Sequence, residues 1–108
     1  MELLTEELKK LLPPLYAQEG DKDPMVYVKF FAVRSNWTWY VTEGQQEEDD
    51  FLFFGYVIGF EREWGYFSLS ELQSSCGPCG QEVERDLYFQ PTRFSEVQRR
   101  HNQTHGGG

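Results

Sequence analysis

Apolar residues fill almost every position of one ten-residue stretch, residues 51–60. The stretch alternates between two faces, and both faces carry large apolar side chains. A strand that is apolar on both faces must be covered on both, so the pattern predicts an inner strand of a sheet. Gly55 and Gly59 fall on the same face, where missing side chains leave room for a helix or an aromatic ring. The polar residues 61–63 predict a turn, and residues 65–67 predict a shorter partner strand.

Three further strands are predicted on either side of this stretch. Residues 25–33 alternate between an apolar face and a more polar one, and residues 37–42 place two tryptophans and a valine on one inward face. Residues 43–50 are acidic and polar, and we expect them to form a long hairpin loop. Residues 83–89 alternate only loosely, which predicts a last strand at an edge, and Pro91 ends this segment.

The first helix signal is Thr5, a predicted N-cap. Acidic residues follow it in the first turn and lysines toward the last turn, an order of charges that suits the helix dipole. Leucines at positions 4, 8, 11 and 12 form one apolar stripe, and Pro13 with Pro14 ends the helix. The sequence therefore predicts a short amphipathic helix that packs on the sheet.

Two short helices are predicted farther along the chain. Ser68 and Glu71 have the spacing of a capping box, so a helix is expected to begin at Leu69. Ser95 is predicted to cap a final helical turn. Residues 101–108, which are polar and rich in glycine, are predicted to form a flexible tail.

Together these elements predict one α+β domain over residues 1–100. Its sheet is an antiparallel meander of four to five strands, with the N-terminal helix packed on one face. Short helices follow the fourth strand and lie at the C-terminus. A chain of 108 residues can bury such a core without disulfides or a metal. Seven large side chains are predicted to form that core: Phe30, Trp39, Phe53, Phe54, Tyr56, Ile58 and Phe67.

The charge of the chain narrows the classes of partner. It carries 10 basic and 18 acidic side chains, a formal net charge of −8 at pH 7. Residues 1–84 hold 6 basic and 16 acidic side chains, a net charge of −10, and residues 85–108 hold 4 and 2, a net charge of +2. An acidic body opposes nonspecific binding to a phosphate backbone or to an anionic membrane. It fits a well-solvated protein or one whose partner is basic.

The sequence shows no targeting signal. Its first residues are amphipathic and charged where a secretory signal would be apolar. No apolar run approaches the ~20 residues that span a membrane. We therefore expect a cytoplasmic protein, in which Cys76 and Cys79 stay reduced.

Those cysteines form a Cys-Gly-Pro-Cys motif, which matches the redox motif of thioredoxin-like proteins. In that setting the first cysteine begins a helix after a buried strand. Here the motif is predicted to follow a helix, which disfavours redox chemistry. Cys76 and Cys79 with His101 and His105 also have the local spacing of zinc ligands, but the 21 residues between the pairs exceed that of a zinc finger. Two reduced cysteines in a turn are the favoured interpretation.

Catalytic constellations are otherwise not visible. Residues 47–50 form an acidic run that lacks the spaced ligands and the glycine of a calcium loop. We find no Ser-His-Asp set, no glycine-rich phosphate loop and no histidine inside the predicted fold that would serve as a general base. The sequence therefore predicts a protein without enzymatic activity, cofactor or metal.

Five blocks of sequence, in this order, resemble the domain-of-unknown-function 2958 family: LLTEELKKLLPPLY, DPMVYVKFF, SNWTWYVTEG, DFLFFGYVIGFEREWGYFSLSEL and VERDLYFQPTRFSEV. The match covers residues 3–97. The resemblance implies a small bacterial protein carried on plasmids, integrative elements and phages. It implies no catalytic mechanism and supplies no site residues.

These features favour a non-enzymatic, mobile-element-encoded module that binds a host protein with a basic surface. A nuclease or nucleoprotein complex of CRISPR or restriction machinery fits this description, because carboxylates can occupy the phosphate positions of its basic groove. The expected activity is then that of an anti-CRISPR or anti-restriction inhibitor. The predicted binding edge consists of Glu43, Glu47, Glu48, Asp49 and Asp50. A solvated loop is the alternative interpretation of these residues.

Two other functions stay open. A stacking platform could bind single-stranded nucleic acid, although the basic groove that accompanies such platforms is missing. Its candidate residues are Trp37, Trp39, Tyr40, Tyr56 and Tyr66. A small zinc or redox protein that uses Cys76 and Cys79 is the second alternative.

Overall fold

The computed structural model describes residues 2–74 and 82–104. In chain order the elements are α1 (Glu6–Leu11), β1 (Met25–Val26), β2 (Val28–Ala32), β3 (Thr38–Glu47), β4 (Asp50–Ile58), β5 (Arg62–Ser68), α2 (Leu69–Gln73), β6 (Val83–Arg85), β7 (Thr92–Arg93) and α3 (Phe94–Thr104). The main sheet has the order β5-β4-β3-β2-β6, and β1 pairs with β7 in a small second sheet. All neighbouring strands are antiparallel. The predicted α+β meander is confirmed.

Local signals placed the first two helices correctly. The Thr5 hydroxyl accepts the backbone N–H of Leu8 at 3.2 Å, as an N-cap should. The Ser68 hydroxyl accepts the N–H of Glu71 at 3.2 Å and begins α2. Both caps satisfy N–H groups that have no partner inside the helix.

Strand β4 lies between β3 and β5, which confirms the inner strand predicted from its two apolar faces. A Cβ at Gly59 would lie 2.5 Å from the ring of Trp37, so an aromatic ring does approach there. A Cβ at Gly55 would lie 2.0 Å from the carbonyl oxygen of Tyr40. At Gly55 the close neighbour is therefore the backbone of β3.

The hairpin loop predicted at residues 43–50 is wrong. β3 continues to Glu47 and β4 begins at Asp50, so the turn consists of Glu48 and Asp49 alone. Backbone pairing does not depend on side-chain polarity, and strands of a hairpin can extend into water beyond the core. Glu48 adopts the left-handed conformation, with φ of 53°, which closes the tight turn.

The strand predicted at residues 25–33 is divided between the two sheets. β1 pairs with β7, whereas β2 pairs with β3 and β6. The last predicted strand is shorter than expected, but β6 does lie at an edge. β3 is buried on both faces, not on one, because Trp39 and Val41 pack into the cluster on one side of the sheet and Tyr40 packs into the cluster on the other.

The two faces of the main sheet are covered by different helices. Leucines that flank α1, together with Leu72 of α2, pack on one face. Val97 of α3 packs on the other face, which we call the α3 face. Five of the seven predicted core residues are buried. Phe54 and Tyr56 are half-buried, because they lie on the α3 face beside a cleft.

The prediction that a flexible tail begins at residue 101 is also wrong. α3 continues to Thr104, and His101 is buried. The Tyr40 hydroxyl lies 2.8 Å from His101 Nδ1. Val97 and His101 stand four residues apart and so share the helix face that meets the sheet. The polar composition of the segment concealed this inward face.

Candidate binding site

A cleft of about 380 Å³ opens on the α3 face of the main sheet. Strands β3 and β4 form its floor, and the loop of residues 16–24 and strand β5 form its walls. The N-terminus of α3 closes one end. Six of the side chains that line the cleft are those of Tyr16, Glu43, Phe54, Trp64, Tyr66 and Phe94.

Four of the five aromatic rings that line the cleft hold one another in place. Trp64 stacks on Phe54, with ring centroids 5.8 Å apart and an interplanar angle of 14°. Tyr66 lies 4.9 Å from Phe54, and Phe94 lies 4.7 Å from Trp64, both in tilted arrangements. Trp64 and Tyr66 nevertheless keep 38% and 51% of their surface exposed. The rings are therefore fixed by packing and still available to a ligand.

A buried carboxylate lies at the same cleft. Glu43 is only 4% exposed, and its side chain accepts the backbone N–H groups of Tyr16 at 2.8 Å and of Gln18 at 2.7 Å. The β3–β4 register shifts between Val41 and Glu43, which is a β-bulge at Thr42. Strict alternation would place Glu43 on the face opposite the cleft. The bulge is the reason that it lies on the cleft side.

The loop wall is fixed by hydrogen bonds to the sheet. Gln18 Nε2 donates to the carbonyl oxygens of Met25 and Thr42, both at 2.9 Å, and its Oε1 accepts the N–H of Met25 at 2.7 Å. Tyr16 has a φ of 73°, a conformation that non-glycine residues adopt rarely. Such strain persists where surrounding contacts impose it, and it occurs often at functional sites.

The electrostatics of the cleft favour a cation. The hydrogen bond with the Tyr16 hydroxyl, then desolvation, then the charges of Tyr16, Glu43 and Glu19 raise the pKa of Tyr66 to about 12. Among the described lining residues, three carboxylates (Glu19, Asp21 and Glu43) outnumber one ammonium group, that of Lys22. The faces of aromatic rings also attract cations. The arrangement combines a negative field with apolar walls.

The five residues of the predicted binding edge do not share one surface. Glu47, Glu48 and Asp49 are exposed at the hairpin tip, whereas Glu43 is buried at the cleft. Asp50 is half-buried and accepts the N–H of Ser70 at 3.1 Å and its hydroxyl at 2.5 Å. The Ser70 hydroxyl is the main reason that the pKa of Asp50 lies below its ordinary value. Binding by the hairpin tip stays a prediction.

The aromatic residues proposed as a stacking platform are also separated. Trp39 and Tyr40 are buried, and Trp37 packs against Trp39 away from the cleft. Tyr66 does line the cleft, but the sequence interpretation missed Trp64. The alternation of Trp64 and Tyr66 along β5 was the available signal, because residues two apart on a strand share a face.

A histidine, His101, does lie inside the fold, contrary to the prediction that none is available there. Next to the contact between Tyr40 and His101, Lys29 Nζ lies 3.9 Å from Asp86 Oδ2 and 5.7 Å from the centre of the Tyr40 ring. Burial, and then the charge of Asp86, raise the pKa of Tyr40 to about 12. Tyr40 therefore stays protonated at neutral pH and joins α3 to the sheet.

The zinc and redox alternatives depend on residues outside the described ranges, since Cys76, Cys79 and His105 all lie there. Within residues 2–74 and 82–104, no group of three histidine, cysteine, aspartate or glutamate side chains could hold a metal ion. The same ranges contain no helix with the length and apolar character needed to cross a membrane.

Comparison with known proteins gave one match. The model of a family described as a protein of unknown function, DUF2958, matches residues 3–106, which is nearly the whole chain. No curated protein matches the chain. No solved structure matches it either. The extent of the family match confirms the resemblance seen in the sequence blocks, and the chain belongs to the DUF2958 family.

Proposed function

We propose that this protein is a non-enzymatic binding module whose cleft takes a positively charged side chain of a partner protein. The observation that carries the proposal is the buried carboxylate of Glu43 beside the exposed rings of Trp64 and Tyr66. A cation between these groups would gain both a charge-assisted hydrogen bond and an aromatic contact. Glu43, Trp64 and Tyr66 line the same cavity.

Arginine fits the cleft better than lysine. Its planar guanidinium stacks on aromatic faces and donates several hydrogen bonds in one plane. Trp64 offers the ring that attracts cations most strongly, and an exposed cation–π contact contributes about 0.5–1 kcal/mol. Two lone-pair positions of the Glu43 carboxylate are used by backbone N–H groups, and a carboxylate has about four. The remaining positions would receive the guanidinium.

Long-range attraction would come from the overall charge of −8, to which the exposed tip residues Glu47, Glu48 and Asp49 contribute. Such a field raises the rate at which a basic partner is captured. The biological setting that we propose is inhibition of CRISPR or restriction machinery by a protein of a mobile element. Support for that setting comes from the acidic charge and from the arginines and lysines that line nucleic-acid-binding grooves.

Single-stranded nucleic acid is the competing ligand, because bases also stack on exposed aromatic rings. The carboxylates of Glu19, Asp21 and Glu43 would repel its phosphates at the same cleft. Titration with oligothymidylate at physiological salt separates the two ligands. Saturable binding of the oligonucleotide at the cleft would overturn the proposal of a cationic side chain.

The test compares two peptides that differ in one charged group. Acetyl-Gly-Arg-Gly-amide is titrated into the ¹⁵N-labelled protein, followed by the same peptide with citrulline, the neutral isostere of arginine. We expect the arginine peptide alone to shift the indole N–H signal of Trp64. In Trp64→Ala, followed through the backbone amide signals of the cleft, we expect binding weakened by about two- to fivefold, because one cation–π contact is lost. Tyr88→Ala is the matched control, because Tyr88 is 91% exposed and does not line the cleft. Equal binding of both peptides would contradict the proposal.

A further inference from the structure

Strand β5 is the edge strand next to the cleft. The main sheet ends at β5, so within the described part of the chain no strand pairs with its outer side. Its seven residues, Arg62–Ser68, span roughly 23 Å. The wall of the cleft that carries Trp64 and Tyr66 is therefore also the free edge of the sheet.

The outward backbone groups of this edge can be assigned. The N–H of Gly59 donates to the carbonyl oxygen of Glu61 at 2.9 Å, so the backbone groups of Glu61 face β4. In an antiparallel pair, successive residues of a strand face alternately toward and away from the partner strand. The unbroken β4–β5 register carries this alternation along β5. The N–H and carbonyl groups of Trp64 and Tyr66 therefore point outward.

The edge lacks several of the features that usually prevent pairing with another strand. Natural edges are blunted by proline, by lysine, by a bulge or by short length. β5 contains no proline or lysine, and its pairing with β4 runs without a register shift. A Cβ at Gly65 would have no atom within 4 Å, so the middle of the edge is open on the face opposite the cleft.

The charges around the edge select a basic partner segment. Glu63 is exposed on the face opposite the cleft, and Glu43 with Glu19 gives the cleft face a negative field. Arg62 is the basic residue of β5, and its guanidinium donates to Asn102 Oδ1 at 2.9 Å. Pairing between two copies of this chain is opposed by their net charge of −8 each.

We infer that an extended, basic segment of the partner adds to the outer edge of β5 as a further strand of the main sheet. One arginine of that segment then lies over Trp64 and reaches into the cleft. Main-chain hydrogen bonds to Trp64 and Tyr66 would supply affinity, and the cleft would supply specificity, as in other cases of strand addition. This inference rests on the proposed cation-binding function and states how the partner presents its cation.

Amide hydrogen exchange tests the inference, with acetyl-Thr-Arg-Thr-Arg-Thr-Arg-Thr-amide as the probe. At saturating peptide we expect the amides of Trp64 and Tyr66 to exchange at least about tenfold more slowly, because each gains a hydrogen bond. The amides of Glu63 and Gly65 already face β4 and should change much less. Equal protection of all four amides, or of none, would overturn strand addition.

Two N-methylated forms of the probe serve as controls, one methylated at its arginines and the other at its internal threonines. A strand presents only one of these two sets of amides to β5. We expect one methylated form to leave the amides of Trp64 and Tyr66 unprotected from exchange, while the other form still protects them. If both forms protect these amides as well as the parent peptide does, the segment does not pair as a strand.

The two proposals fail in different ways. If the Trp64 indole signal responds to acetyl-Gly-Arg-Gly-amide but the longer probe protects neither Trp64 nor Tyr66, strand addition is wrong and the cation site stands. If the longer probe protects those amides but citrulline peptides bind as well as arginine peptides, the edge binds a strand and the cation site is wrong. If neither response occurs, both proposals are wrong.

Discussion

The carboxylate of Glu43, in the middle strand of the sheet, accepts the backbone N–H of Tyr16 at 2.8 Å, and the two residues are 27 positions apart. The N–H of Gln18 binds the other carboxylate oxygen at 2.7 Å. Glu43 thus holds the loop that forms one wall of the cleft. The same side chain supplies the buried negative charge of the proposed cation site, so structure and binding depend on one residue.

Replacement of Glu43 by alanine should destabilise the protein by about 2 kcal/mol or more. It leaves the N–H groups of Tyr16 and Gln18 without their acceptor, and each unsatisfied buried group costs about 1–3 kcal/mol. Glu47→Ala, at the exposed hairpin tip, is the control and should change stability by less than about 0.5 kcal/mol. Urea denaturation measures both. Equal stability of the two variants would show that the Glu43 hydrogen bonds do not hold the loop.

Two glycines that face each other across β4 and β5 should respond in opposite ways to alanine. Gly55 pairs with Gly65, yet a Cβ at Gly55 would lie 2.0 Å from the Tyr40 carbonyl oxygen, whereas one at Gly65 would meet nothing. Gly55→Ala should destabilise the fold by at least about 1–3 kcal/mol, because β3 must move. Gly65→Ala should be neutral or stabilising by up to about 1 kcal/mol, through loss of unfolded-chain entropy. Similar melting temperatures for the two variants would contradict the close approach of β3 and β4.

Asp50 should behave differently from its acidic neighbours. Asp50→Asn keeps only one acceptor oxygen for the two Ser70 donors, so we expect a loss of about 1 kcal/mol at pH 7. The triple variant Glu47→Gln, Glu48→Gln, Asp49→Asn changes exposed charges only and should be nearly neutral for stability. Denaturation midpoints of the two variants decide whether Asp50 supports the start of α2.

The pH dependence of the stability of Asp50→Asn tests whether the Ser70 hydrogen bonds to the carboxylate cause this loss. The pKa of Asp50 is lowered in the folded protein, so its stabilisation is present above the unfolded value near 4 and is lost as the pH falls through the folded value. Asp50→Asn should therefore lose less stability than the parent on acidification below about pH 4. Parallel stability curves for parent and variant would exclude this role of the Ser70 hydrogen bonds.

The raised pKa of Tyr40 predicts that the folded protein loses stability at alkaline pH. Burial and the charge of Asp86 raise its pKa to about 12, so the folded protein retains the phenol proton above pH 10 while the unfolded chain releases it. The contribution of this pKa difference to the free energy of unfolding is fully present below pH 10 and is lost as the pH rises to about 12. It amounts to on the order of 2 kcal/mol. Tyr40→Phe should flatten the stability curve between pH 10 and 12, and equal slopes would contradict a buried, neutral phenol.

Features that depend on a few neighbouring residues were predictable from the sequence. The caps at Thr5 and Ser68 need only residues within the next turn, and the two-sided apolar pattern of residues 51–60 reflects coverage of both sheet faces. The length of the hairpin was not predictable in this way. Residues 43–47 are polar but still pair with β4, because hydrogen bonding of the backbone continues beyond the core.

The cleft depends on contacts between distant residues, which is why the sequence interpretation missed it. A bulge at Thr42 directs Glu43 to the cleft face, and no residue pattern marks that bulge. Tyr16 reaches the cleft through a left-handed backbone conformation. Adjacency in sequence suggested that the five acidic residues of the predicted binding edge lie together, but one is buried, one supports α2 and three are exposed.

The central claim is tested most directly by detecting contacts between a bound arginine and the cleft. Intermolecular NOEs are recorded for the protein saturated with acetyl-Gly-Arg-Gly-amide. The account predicts cross-peaks from the arginine δ-methylene protons to the ring protons of Trp64 and Tyr66, and it predicts the same cross-peaks in the control variant Tyr88→Ala. Cross-peaks confined to the hairpin tip at residues 47–49, or no cross-peaks to the cleft at saturation, would contradict it.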